Sequence, residues 1–184
     1  MLAFFRLAQA DVSVSAPTAG ASFSGSSGTA SVKLSWDDDD ADGDYALSNI
    51  KTYTISLCYG ASTSIKCVKP ALVSAQAITG KSYTASLTAA SYPDGWYYFQ
   101  IYAVFKDGDS TIHYSDRFEL TNMSGSTASI TATATGDAPA AQTQGSGDSS
   151  VNSASSTVPF TLHTGKTTYA PMQTHPGLTV TATT

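Results

Sequence analysis

Hydrophobic and polar positions alternate in short runs through the first two thirds of the chain, and no stretch repeats with a helical period. The densest run is Trp96-Tyr97-Tyr98-Phe99-Gln100-Ile101-Tyr102-Ala103-Val104-Phe105. It lies between two turn signals, Pro93-Asp94-Gly95 and Lys106-Asp107-Gly108-Asp109. Aromatic and β-branched side chains at this density predict a central strand. Alternation divides it into two rows. Tyr97, Phe99, Ile101, Ala103 and Phe105 form the more apolar row and are expected to face a core. Trp96, Tyr98, Gln100, Tyr102 and Val104 form the other row, which is aromatic yet carries polar handles. That is unusual for a face that meets only water.

The remaining runs are shorter. Val12 and Val14 alternate with polar residues and stop at Pro17, as an edge strand does. Gly20, Gly25 and Gly28 mark a loose connection around Phe23. Val32, Leu34 and Trp36 face inward from a half-buried strand, and an acidic loop follows at residues 37–44. Tyr53, Ile55 and Leu57 point inward from the next strand, with residues 65–68 returning as its hairpin partner. Residues 71–79 read either as a strand or as a turn of helix. Tyr83, Ala85 and Leu87 precede the central strand, and Ile112, Tyr114, Phe118 and Leu120 form the last one. About seven short strands at this spacing predict an all-β fold, an immunoglobulin/fibronectin type III-like β-sandwich over residues 11–123. Leu87 shortly before Tyr97 fits the corner that precedes a central strand in such folds. Residues 124–157 are Gly, Ser, Thr, Ala, Asp and Gln with almost nothing to bury, which predicts a flexible linker open to O-glycosylation. Residues 158–184 regain Leu162, Tyr169, Met172 and Leu178, too few for a core of their own. This segment either docks on the sandwich or is a partial C-terminal region.

Composition narrows the function classes. Charged residues are 12% of the 184, Glu119 is the sole glutamate, and Ser and Thr are abundant. A hydroxylated surface of this kind is typical of secreted and cell-wall proteins. The net charge of -5 leaves no basic stripe for a nucleic-acid partner. No apolar run is long enough for a membrane span. Leu2-Ala3-Phe4-Phe5 and the small-x-small Ala8-Gln9-Ala10 make residues 1–10 either a signal-peptide remnant or an expression scar, with the mature chain starting at Asp11. Cys58 and Cys67 are the only cysteines, and Gly60 between them permits a hairpin that sets them opposite each other. In an exported protein a disulfide is the favoured reading, contributing about 2.5–3 kcal/mol by loop closure. Two buried thiols are the alternative, and a metal site is disfavoured because no His lies nearby. A pair so local argues against an antibody-type domain.

Taken in order, these landmarks resemble the fungal Kre/Knh family of secreted, O-glycosylated proteins needed for cell-wall β-1,6-glucan assembly. The matching segments are Asp11-Val12-Ser13-Val14-Ser15-Ala16-Pro17, Ser56-Leu57-Cys58 with Cys67-Val68, Tyr97-Tyr98-Phe99-Gln100-Ile101-Tyr102-Ala103, and Thr111-Ile112-His113-Tyr114 with Arg117-Phe118. Val158-Pro159-Phe160-Thr161, Thr164-Gly165, Tyr169-Ala170-Pro171-Met172-Gln173 and Pro176-Gly177 resemble the opening of the family's C-terminal region. That region normally continues further, so the resemblance implies that functions lodged there fall beyond Thr184.

Sugars present apolar C–H faces ringed by hydroxyls, so aromatic planes beside amide and guanidinium groups suit them. If Ile112, Tyr114 and Phe118 point inward, then Thr111, His113, Arg117 and Glu119 point outward beside the polar row of the central strand. The carbohydrate-binding candidates are therefore Tyr98, Gln100, Tyr102, His113 and Arg117. The competing expectation is that the tail or a partner covers this face. Asp38-x-Asp40-x-Asp42-Gly43 has the spacing of half a calcium loop, but Asn49 stands where the bidentate acid belongs, so a solvated acidic loop is favoured. Glycosidase chemistry needs two facing carboxylates about 5–9.5 Å apart. Asp116 and Glu119 differ in strand parity and Asp107 and Asp109 share one turn, so no catalytic residue is assigned. Asp11 occupies the N-terminal position that a copper brace requires of His, and His163 and His175 lie in the irregular tail, so no metal or other cofactor is expected. Asn122-Met123-Ser124 is an N-glycosylation sequon. The sequence thus points to a non-enzymatic wall protein. Its partner is β-glucan or a wall-synthesis protein. The lesser alternatives are a protein-interaction module that never touches sugar and a glucanase or transglycosylase.

Overall fold

The computed structural model describes residues 12–38, 45–77, 79–126 and 130–144. The fold is an all-β, immunoglobulin-like sandwich. One sheet has the order β1 (Val12–Ala16), β3 (Thr29–Asp38), β7 (Ser82–Thr88). The other is built around β8 (Gly95–Phe105), with β4 (Ile50–Tyr59) on one edge and β9 (Ser110–Tyr114) and β10 (Phe118–Thr121) end to end on the other. Beyond β4 lie β5 (Lys66–Cys67) and β6 (Val73–Gln76), and the ambiguous residues near 73 thus form a strand. Beyond the opposite edge, β2 (Ser22–Ser24) runs parallel to β10, and β11 (Gln142–Gln144) pairs antiparallel with β9.

The alternation dictates the core. Ala30, Val32, Leu34 and Trp36 are buried at every second position of β3, and Ala85 and Leu87 are buried across the ladder from them. The opposing sheet contributes Ile55, Leu57, Phe118, Leu120 and the whole apolar row of β8, all in one cluster. Phe99 and Phe118 stack 5.0 Å apart between their centroids. Burying each side chain of this size stabilises the fold by about 1.5–3 kcal/mol. Tyr97 is buried among them, and its hydroxyl donates to the Pro93 carbonyl at 2.9 Å. This is the tyrosine corner of immunoglobulin-like folds, and it satisfies a phenol that would otherwise be stranded in the core.

Two expectations need correction. The first concerns parity on β9. Gln100 pairs with Tyr114 and Tyr97 pairs with Phe118, so three steps on β8 are matched by four on the neighbouring edge. The extra residue is a bulge at residues 115–117, which reverses the alternation. Ser115 holds it in place, because the Phe99 amide donates to Ser115 Oγ at 2.9 Å and the Ser115 amide donates to the Phe99 carbonyl at 3.0 Å. Phe118 and Leu120 face the core as expected, but Ile112 and Tyr114 share the outer face with Tyr102 and Gln100. Thr111 and His113 are therefore turned to the inner side, where His113 is 2% exposed.

The second correction concerns the linker. Residues 130–144 pack onto the sandwich. Ile130 and Ala132 are buried in the core cluster, the Trp96 amide donates to the Ala132 carbonyl at 2.7 Å, and β11 extends the sheet. The physical reason is the alternation Ile130-Thr131-Ala132-Thr133, which buries every second side chain, together with backbone hydrogen bonding that needs no large residues. Gly95 permits this approach: its φ is +149°, and a Cβ there would collide with Ala132. The signal remnant, residues 127–129 and 145–157 of the linker, and the C-terminal segment lie outside the described residues.

Candidate polysaccharide-binding face

The outer face of the β4–β8–β9 sheet is where the candidate residues meet. Register places Thr54, Tyr102 and Ile112 in one row across it, and Ser56, Gln100 and Tyr114 in the next. Tyr102 and Gln100 are half-exposed, as are Thr52, Thr54 and Ser56 on β4. The Gln100 Nε2 donates to the Tyr114 hydroxyl at 3.1 Å, which fixes the amide beside the ring. An aromatic plane bordered by hydroxyls and an oriented amide is thus present.

Tyr98 and Arg117 lie on the expected face but are covered. Cys58 and Cys67 form a disulfide, with their Cα atoms 4.0 Å apart across the β4–β5 hairpin. Cys58, Ile65 and Tyr98 make a small second core on the outside of the sheet, with Cys67 and Tyr114 packed against it. The Arg117 guanidinium lies 4.7 Å from the centroid of the Tyr98 ring, within cation–π range. Its Nη2 donates to the Gly60 carbonyl at 2.9 Å and to Ser62 Oγ at 3.4 Å, and its Nε donates to the Asp137 carbonyl at 3.4 Å. Ser62 Oγ donates to the same Asp137 carbonyl at 2.7 Å. The result is 0% exposure for Tyr98 and 4% for Arg117. Burial pushes the Tyr98 phenol up to about 12, with Arg117 opposing the rise and Tyr114 adding to it.

Of the five residues expected to form an exposed binding surface, the structure brings Gln100 and Tyr102 together at the surface. It seals Tyr98 and Arg117 beneath the β4–β5 turn, and it places His113 on the other side of the sheet. The expectation missed Tyr114, whose outward direction follows only once the bulge is recognised. It also missed Trp96, half-exposed at the other end of the same outward row, although the alternation marked that row. Asn122 of the sequon is exposed, and its Nδ2 donates to Ser24 Oγ at 3.0 Å. Asp40, Asp42 and Gly43 of the acidic loop lie outside the described residues, as do His163 and His175. No helix among the described residues is long and apolar enough to cross a membrane.

Known proteins resemble this chain along most of its length. Residues 16–120 match the Kre9/KNH-like N-terminal Ig-like domain, and residues 152–184 match the C-terminal region of the yeast cell wall synthesis protein KRE9/KNH1. The chain is 52% identical over 188 residues to the cell wall synthesis protein KRE9 of Candida albicans, an alignment covering all of this chain and 69% of that protein. It is 39% identical over 189 residues to KRE9 of Saccharomyces cerevisiae, covering 95% of this chain and 66% of that one. Against the cell wall synthesis protein KNH1 of Candida glabrata it is 35% identical over 191 residues, covering 100% of this chain and 69% of the relative. It therefore spans about two thirds of the length of these relatives. On the match over residues 16–120 and on these identities, the chain belongs to the Kre9/KNH family.

Proposed function

We propose that this protein acts outside the cell in fungal cell-wall synthesis, as a non-catalytic module that holds β-1,6-glucan during its assembly. The names of its relatives support the wall role, and the Ser/Thr-rich composition and the Cys58–Cys67 disulfide support export. The observation that carries glucan binding is the half-exposed Tyr102 ring between Thr54 and Ile112, with Ser56 and the Gln100–Tyr114 pair alongside. An aromatic ring packs against the C–H face of a pyranose, while the neighbouring hydroxyls and amide exchange hydrogen bonds with its rim. The face is an open platform, which suits holding a polymer more than enclosing a scissile bond.

Calorimetric titration with defined β-1,6- and β-1,3-linked gluco-oligosaccharides tests this reading. Saturable binding of the β-1,6 series is expected, weakened about tenfold or more in Tyr102→Ala, the scale of a 1.4 kcal/mol contact. The oligosaccharides recovered afterwards should be unchanged in length. Absence of binding to either series would leave the face to a protein partner, and altered chain lengths would overturn the non-catalytic assignment.

A further inference from the structure

A second feature lies at the far end of the outward row. The turn after β1, the bulge between β9 and β10, and residues 135–138 converge beside Trp96 around a half-open pocket of about 300 Å³. The Gly20 amide donates to the Arg117 carbonyl at 2.9 Å, tying the first two segments together. The Arg117 side chain bonds the Asp137 carbonyl, tying in the third. The lining includes Trp96, Asp116, Arg117, Gly136 and Asp137. Arg117 is 4% exposed, and its Nη1 is buried without a hydrogen-bond partner among the described residues.

We propose that this pocket is a second saccharide site, taking one neutral hexopyranosyl unit. The inference rests on the glucan reading given above and adds a separate site to it. Three properties select the ligand. The volume is at the small end for ligand sites, suited to a single ring unit. Trp96 offers an indole plane for the apolar side of a pyranose. Asp116, Arg117 and Asp137 all line it, so the lining carries no surplus positive charge for a phosphate or uronate. A sugar hydroxyl can donate to the carboxylate of Asp116, which is exposed. Trp96 and Tyr102 point from the same face of β8 and are six residues apart, about 20 Å along the strand. A glucan reaching both sites is held at two points.

Trp96 provides its own readout, because the only other tryptophan, Trp36, is buried in the core. Acrylamide quenching of the 184-residue protein therefore reports access to Trp96. Saturating β-1,6-linked gluco-oligosaccharide is expected to lower the quenching slope, since a pyranose ring packed on the indole shields it from acrylamide. Asp116→Ala, an exposed position, should lose that protection while keeping the unliganded emission spectrum. Tyr102→Ala should keep it, and glucuronate in place of glucose should give none. Saturable heat in the calorimeter with no change in quenching would overturn the pocket and leave the Tyr102 platform standing. Loss of both signals would remove the pocket together with the glucan reading. Equal protection by glucuronate would overturn the assignment of a neutral ligand.

Discussion

Arg117 joins parts of the chain that sequence separates widely. Its guanidinium covers Tyr98, holds the turn at Gly60 and Ser62, and takes the carbonyl of Asp137. Replacing it with Met keeps much of the volume but strands those acceptors. Arg117→Met is therefore expected to cost about 2–3 kcal/mol in urea unfolding, the range for charged hydrogen bonds plus a desolvated cation–π contact. Tyr98 beneath it gives the fold an alkaline limit. A phenol whose folded pKa is raised to about 12 binds its proton more tightly in the native state than the unfolded chain does. Its contribution is complete below the unfolded value near 10 and is lost as pH rises through the folded one. Burial raises Tyr97 and Tyr114 in the same direction. Thermal unfolding followed from pH 8 to 11.5 should show a Tm that holds to about pH 10 and then falls. Phenolate absorbance of the buried tyrosines should appear only with unfolding. A Tm independent of pH over that window would contradict their burial.

At the scale of elements, the segment 130–144 contributes to the sandwich what its composition conceals. Ile130 sits in the core cluster, so Ile130→Ala should cost about 2 kcal/mol, the lower end for truncating a buried isoleucine. A chain ending at residue 123 should unfold at lower denaturant than one ending at residue 144. Equal midpoints would mean the segment adds nothing. The central strand and its inward row were legible in sequence, because a ten-residue run that is aromatic or aliphatic at every position but Gln100 leaves only one register that buries Phe99 and Ile101. The bulge was not legible, because Ser115, Asp116 and Arg117 look like any polar turn. An extra residue there shows only in the pairing with β8. That single residue turned His113, one of the five residues expected at the surface, inward, and Tyr114 outward. The Ile130-Thr131-Ala132-Thr133 alternation was present to be read, but its side chains are too small to stand out among Ser and Gly.

For the whole molecule, the proposed function assigns support and recognition to opposite faces of one strand. The apolar row of β8 joins the two sheets, while the opposite row meets covering segments at Tyr98 and solvent at Trp96 and Tyr102. Membership of the Kre9/KNH family places this architecture among proteins named for cell-wall synthesis. The central claim is that the open part of the outer face is where glucan is held. Amide chemical-shift mapping of the labelled protein during titration with β-1,6-linked gluco-oligosaccharide tests it most directly. The account predicts saturable shifts concentrated at Thr54, Ser56, Gln100, Tyr102 and Tyr114, with the β3–β7 sheet silent. Saturable shifts confined to the β3–β7 sheet, or no shifts at all, would contradict it.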